Sequence, residues 1–194
     1  MPQAAPPFRR ALLAPRHWPA WLGLGCIWLV ARLPYRWLLH VGHGLGWLAA
    51  RIFRERRQIA ARNLALCFPE LDDDARAALL EQNLRDSGVM LVEFALAWMG
   101  STRAIARIPL TLEGLDHLEA ARNAGHGVLL VGAHFSHLEL CARLISQRLR
   151  IGGMYREHDD DAFEWAIKRA RLRYADAMFS KSELRQSVRY LKSG

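Results

Sequence analysis

Apolar positions change their spacing three times along the chain. From Trp18 to Ala31 they run almost without interruption and without charge, until Arg32-Leu33-Pro34 breaks the run; proline lacks the N–H that a helix interior needs. The pattern resumes from Tyr35 to Phe53, where Gly42 and Gly46 stand four apart and permit close approach of another helix. The first stretch is shorter than the roughly 20 residues that span a bilayer. The pair therefore reads as helices sunk into one leaflet or barely crossing, with a buried helical hairpin as the alternative. The preceding residues 1–17, rich in Pro, Ala and Arg, read as a loose lead-in with no cleavable signal.

A helical spacing follows. Arg57 to Phe68 predicts a short helix stopped at Pro69, and Asp72-Asp73-Asp74 places negative charge where the next helix dipole favours it. That helix carries Leu80, Leu84, Leu91 and Phe94 on one side toward Trp98, with Gly88 as a weak point. From Arg107 the spacing shortens. Leu110–Leu112 and the continuous run Val128–Val131 predict strands, as do Ile151–Tyr155 and Ala177–Phe179. Between them lie a helix opened by an Asp116/Glu119 capping box and stopped by Gly125 and Gly127, then helices over Ser136–Arg148, Asp160–Arg173 and Ser182–Lys192, the last closed by Gly194.

The predicted class is α/β. Residues 1–57 form a lead-in and membrane-anchoring helices, 58–103 a helical segment, and 104–194 a partial sheet with crossover helices.

Charge narrows the partners. Twenty-seven Lys and Arg against 19 Asp and Glu give +8, beside 52% hydrophobic residues, which points to nucleic acid, anionic lipid or an acidic carrier protein. Trp18, Trp21, Trp28, Trp37 and Trp47, five of the seven tryptophans, fall in the first quarter, where rings with one polar edge suit a membrane interface. Arg9, Arg10 and Arg16 precede them and Arg51, Arg54, Arg56 and Arg57 follow, so the membrane is favoured over nucleic acid. Cys26, Cys67 and Cys141 lack the spacing of a zinc or redox site and read as reduced packing residues.

The candidate chemistry sits at His134 and Glu139. His134 follows the end of a predicted strand, where open α/β sheets hold ligands. A helix N-terminus beside it favours the neutral imidazole, which takes a proton from a hydroxyl as that oxygen attacks a carbonyl. Glu139 is spaced to orient that ring, but it is equally spaced to close a capping box with Ser136. A metal held by His134, His137 and Glu139 would need a further ligand, and Ser136 lacks a nucleophile elbow. His137 reads as a solvent-facing or capping residue. Tyr155-Arg156, with Lys168, Arg169, Arg171 and Arg173 on the following helix, forms a basic cluster beside the stripe Phe163, Ile167, Ala170 and Tyr174, suited to a phosphate or to plain solvation.

With these residues in order, nearly the whole chain resembles the lipid A biosynthesis lauroyl and myristoyl acyltransferases of the lysophospholipid acyltransferase superfamily. The resemblance rests on the tryptophan-rich start with Leu33-Pro34, Ala61-Arg62-Asn63-Leu64 running into Cys67-Phe68-Pro69-Glu70, Leu112-Glu113-Gly114-Leu115, the run from Gly127 through HFSHLE to Leu140, Tyr155-Arg156 and Arg169–Arg173. It implies His134 and Glu139 as the catalytic pair and Arg171 and Arg156 as substrate-binding residues. It also implies acyl carrier protein as donor, a glycolipid acceptor, no metal or organic cofactor, and a place on the cytoplasmic face of the bacterial inner membrane. The family continues for roughly a hundred residues beyond Gly194, so an incomplete sheet is expected. A non-catalytic membrane-binding remnant, an acyltransferase for another glycolipid and a hydrolase remain alternatives, and oligomeric state is undetermined.

Overall fold

The computed structural model describes residues 2–193, and Gly194, expected to close the last helix, lies outside them. The fold is mostly helical. Helices α1 (Trp18–Val30), α2 (Tyr35–Ile52), α3 (Arg54–Cys67), α4 (Asp73–Met99) and the single turn α5 (Thr102–Ile105) are followed by α6 (Leu115–Asn123) and α7 (Leu138–Ile145). Strand β1 (Gly152–Tyr155), α8 (Asp161–Arg171), β2 (Ala177–Ser180) and α9 (Leu184–Lys192) complete the order.

Helix α4 is the frame. Asp72 caps it through Ala75 N at 2.7 Å, and its two faces carry the two cores. One face meets α2 and α7 through Leu38, Val89, Val92, Leu96, Ile105, Leu140 and Leu144. The other meets α1 and α8 through Leu24, Ala97, Trp98, Ile167 and Ala170. Burying such side chains fully contributes about 1.5–3 kcal/mol each.

Glycine sets the α2–α4 distance. A Cβ at Gly42 would lie 2.7 Å from Val89 Cα, one at Gly46 2.8 Å from Arg85 Cα, and one at Gly88 2.7 Å from Gly46 Cα. Gly42 and Gly46 thus serve the close approach their spacing predicts. Gly88 is no weak point, because it is the third member of the interlock and lies inside an unbroken α4.

The α/β expectation is met in one unit. Strands β1 and β2 pair in parallel, with Gly152 opposite Ala177 and Tyr155 opposite Ser180, and α8 is the crossover between them. The expected strands Leu110–Leu112 and Val128–Val131 do not form among the described residues. Val131 is 88% exposed and Leu129 73%; a strand needs a neighbour for its backbone, and among the described residues no strand pairs with this run. The Asp116/Glu119 box is also absent, since α6 begins behind Gly114 with no side-chain cap.

The lead-in is tied down rather than loose. Leu12 and His17 are buried, His17 Nδ1 meets Asp160 at 2.8 Å, and Phe8 packs edge-on against Trp165. Gln3 reaches the outer edge of β2: its N–H donates to Asp176 O at 2.6 Å and its Oε1 accepts from Met178 N at 2.8 Å. The three cysteines are free and exposed, not packed.

No described helix is long and apolar enough to cross a membrane. Helices α1 and α2 nevertheless turn large apolar side chains outward, among them Trp18, Leu22, Leu29, Trp37, Trp47 and Ile52.

Candidate active site

Helix α7 is strongly one-sided, burying Leu140 and Leu144 against α4. That packing brings its first turn, with Glu139, to the point where α4 ends and α8 runs alongside. Glu139 is the hub of this corner. Its Oε2 accepts from Trp98 Nε1 at 2.8 Å, from Arg171 Nε at 3.3 Å and from Tyr174 Oη at 3.3 Å. Its Oε1 takes a very short contact from Arg171 Nη2. The ion pair is largely shielded, with side-chain exposures of 19% for Glu139 and 10% for Arg171.

These partners exclude the capping-box reading. Helix α7 starts at Leu138 behind His137, no side chain caps it, and Glu139 turns to Arg171 rather than back toward Ser136. Charge assistance makes the choice favourable, since a carboxylate and a guanidinium form stronger hydrogen bonds than neutral pairs.

The surroundings are aromatic. The Arg171 guanidinium lies 5.2 Å from the centroid of Tyr155 and 5.7 Å from that of Trp98. Burial first, then the negative charge of Glu139, pushes the Tyr174 hydroxyl well above its ordinary range. Burial, followed by its bond to Glu164, does the same for Tyr155. Both phenols therefore stay protonated donors. His158 packs edge-on to Phe163; burial and then the nearby Arg171 charge hold its pKa below the usual 6.5. Arg171 Nη1 and His158 Nε2 are both sealed from solvent without a hydrogen-bond partner.

His134 lies in the extended segment before α7 and is exposed. It is not among the partners of Glu139, which are Trp98, Arg171 and Tyr174. Arg156 is also exposed, with Nη2 3.8 Å from Asp159. The structure thus joins Glu139 with Arg171 and leaves His134 and Arg156 open to solvent.

His137 is not simply a solvent-facing residue. Its Nδ1 makes a very short contact with Glu93 Oε2, and Glu93, only 2% exposed, also accepts from Tyr35 Oη at 2.9 Å. Sequence reasoning passed over Glu93. A lone acid within Val89-Met90-Leu91-Val92-Glu93-Phe94-Ala95 was the available signal, because a carboxylate is rarely buried without dedicated donors.

A groove lies elsewhere. About 660 Å³ is bounded by Ala50, Arg51, Arg54, Arg57, Gln58, Ala61 and Leu80, at the junction of α2 and α3.

A family model described as bacterial lipid A biosynthesis acyltransferase matches residues 5–194. The chain is 39% identical over 189 residues to the lipid A biosynthesis lauroyltransferase of Escherichia coli K12, covering 97% of this chain and 61% of that protein. It is 37% identical over 187 residues to the palmitoleoyltransferase of the same organism, at 96% and 61% coverage. To the corresponding myristoyltransferase it is 25% identical over 180 residues, at 92% and 55%. No solved structure matches. The chain spans about three fifths of the length of the nearer of these relatives. With the family model matched from residue 5 to the last residue, the chain belongs to the bacterial lipid A biosynthesis acyltransferases.

Proposed function

We propose that this chain carries the acyl-transfer site of an O-acyltransferase of lipid A assembly, moving a fatty acyl group from an acyl carrier protein thioester to a hydroxyl of a phosphorylated glycolipid precursor. The observation that carries the reading is the Glu139 hub, a shielded carboxylate held by Trp98, Arg171 and Tyr174 five residues after an exposed imidazole.

His134 acts as the base. It takes the proton of the acceptor hydroxyl as that oxygen bonds to the thioester carbonyl carbon; the tetrahedral intermediate then expels the carrier thiolate, which takes the proton back as a thiol. Glu139 orients the imidazole and stabilises its charged form when substrate closes the site. Arg171 pairs with Glu139 and, through its unpartnered Nη1, offers a donor to an acceptor oxygen. Arg156, exposed at the surface beside Asp159, meets the acceptor's phosphate. No metal or organic cofactor takes part.

The remaining surface suits a membrane-bound substrate. The outward apolar side chains of α1 and α2 and the arginine-lined groove beside them support a helix pair seated at an anionic bilayer face, on the cytoplasmic side of the inner membrane, where soluble carrier protein is available. Residues 104–194 would then be part of a larger α/β acyltransferase domain.

The test incubates membranes holding the chain, and a His134→Ala control, with labelled acyl carrier protein and a lipid A precursor. Acylated lipid from the first only is expected. Free fatty acid instead would identify a hydrolase, and membrane binding without turnover would identify a non-catalytic module. Glu139→Gln is expected to lower turnover by about 10⁴-fold, the scale on which a lost orienting charge acts.

A further inference from the structure

The carboxylate–imidazole pair of Glu93 with His137 has no part in the chemistry above. Glu93 is among the most completely buried side chains of the molecule, on the α4 face that packs against α2 and α7. An apolar residue would be cheaper at that depth, because a buried carboxylate costs several kcal/mol unless donors replace its water. Both donors come from other elements. Tyr35 sits at the first residue of α2, and its hydroxyl is pushed up to about 12 by burial and then by the bond to Glu93, so it remains a donor. His137 is the residue immediately before α7; its side chain is 52% exposed, while Glu93's is 2%.

We propose that Glu93 and His137 are a positioning pair for the acyl-transfer site: the carboxylate holds the imidazole and thereby pins the start of α7, and the loop carrying His134, to α4. The inference rests on His134 as the base. Two links then join α4 to the same turn of chain, Glu93 to His137 and Trp98 to Glu139. Glu93 and Trp98 are five residues apart on α4, about 7.5 Å along the axis, and His137 and Glu139 are two apart. Leu140 and Leu144 and the bonds of Arg143 to Ala97 O and Gly100 O hold the body of α7, and the two links hold its leading end and the loop before it.

The pin matters because, among the described residues, the stretch just upstream makes only local bonds. Val131 and Phe135 are 88% and 73% exposed, and the backbone bonds from Phe135 to Ala133 and from Leu138 to Phe135 are local turns. His137 is the first side chain past His134 to reach a buried partner. Misplacement of a reacting group by about 1 Å costs on the order of 100-fold in rate.

The test compares His137→Ala with His137→Asn, whose amide nitrogen sits near the Nδ1 position and can donate to Glu93 but cannot carry a proton in catalysis. In the acyl transfer assay, His137→Ala is expected to lower kcat about 10- to 100-fold with KM for the carrier thioester changed less than about 2-fold. His137→Asn is expected to restore kcat to within about 3-fold of the parent. Amide hydrogen exchange over residues 128–140, which needs no turnover, is expected to accelerate in the alanine variant and not in the asparagine variant. Should the parent chain transfer no acyl group, exchange alone decides, and the failure belongs to the assigned chemistry rather than to the pin. Exchange and kcat unchanged in His137→Ala would overturn the proposal, as would an asparagine variant as impaired as the alanine one.

Discussion

The α2–α4 interface and the segment from Val128 to Phe135 are both apolar in sequence and end in opposite states. In the first, Leu38, Val89 and Val92 are buried and three glycines interlock. In the second, Leu129, Leu130, Val131 and Phe135 are each more than half exposed. Hydrophobicity is a property of the residue, while burial is a property of what faces it. A helix satisfies its own backbone and needs a partner only for its side chains. A strand needs a partner for its backbone as well, so the same apolar content yields structure in one region and an extended coil in the other.

The comparison is broken most severely at its tight end. Gly88→Leu would drive a side chain into the backbone of Gly46, and urea denaturation is expected to report a loss of about 3 kcal/mol or more. The next effect tests the charged corner between the two regions. Glu139→Gln keeps an acceptor for Trp98 Nε1 but leaves Arg171 shielded without its counter-charge, at an expected cost of about 1–3 kcal/mol. Adding Arg171→Met should recover much of that loss, and a double-mutant cycle measures the coupling. At the loose end, Val131→Ser is expected to change stability by no more than about 0.5 kcal/mol; a larger loss would mean that the segment is packed after all.

The smallest expected effect is a pH dependence at His158. Its folded pKa is lowered by burial and by Arg171, so the unfolded chain binds more protons just below the unfolded value of about 6.5. Stability linked to this ring is therefore complete above that value and declines as the pH falls toward the folded one. Arg171, Glu164, Glu139 and Asp159 are the charges that act on the ring. An NMR titration should give His158 a pKa below 6.5 that rises in Arg171→Gln.

Helix positions were legible in the sequence because their signals are local. Pro34 and Pro69, the acidic run Asp72-Asp73-Asp74 and the Gly42/Gly46 spacing each act within a few residues, and α2, α3 and α4 follow them closely. Strands β1 and β2 were legible for a related reason: a short run followed by a crossover helix and a second short run makes its own partner. Val128–Val131 has no such companion, and no count of its apolar residues reveals that. Within the site, Glu139 and Arg171 stood out individually, but their pairing did not, since α7 and α8 meet only after both pack on α4. Glu93 was hidden for the same reason. One acid within an apolar run of α4 carries no local mark of the Tyr35 and His137 that meet it from other elements.

The tie between Gln3 and Met178 bears on biosynthesis. The two residues are 175 positions apart, so the ribosome must release almost all of the described chain before the leading end finds the strand it covers. Until then the outer rim of β2 offers bare peptide groups to any passing extended segment. A fusion partner or tag that hinders the leading end would lengthen that interval, and its cost would show first as aggregation during expression rather than as a weaker final product.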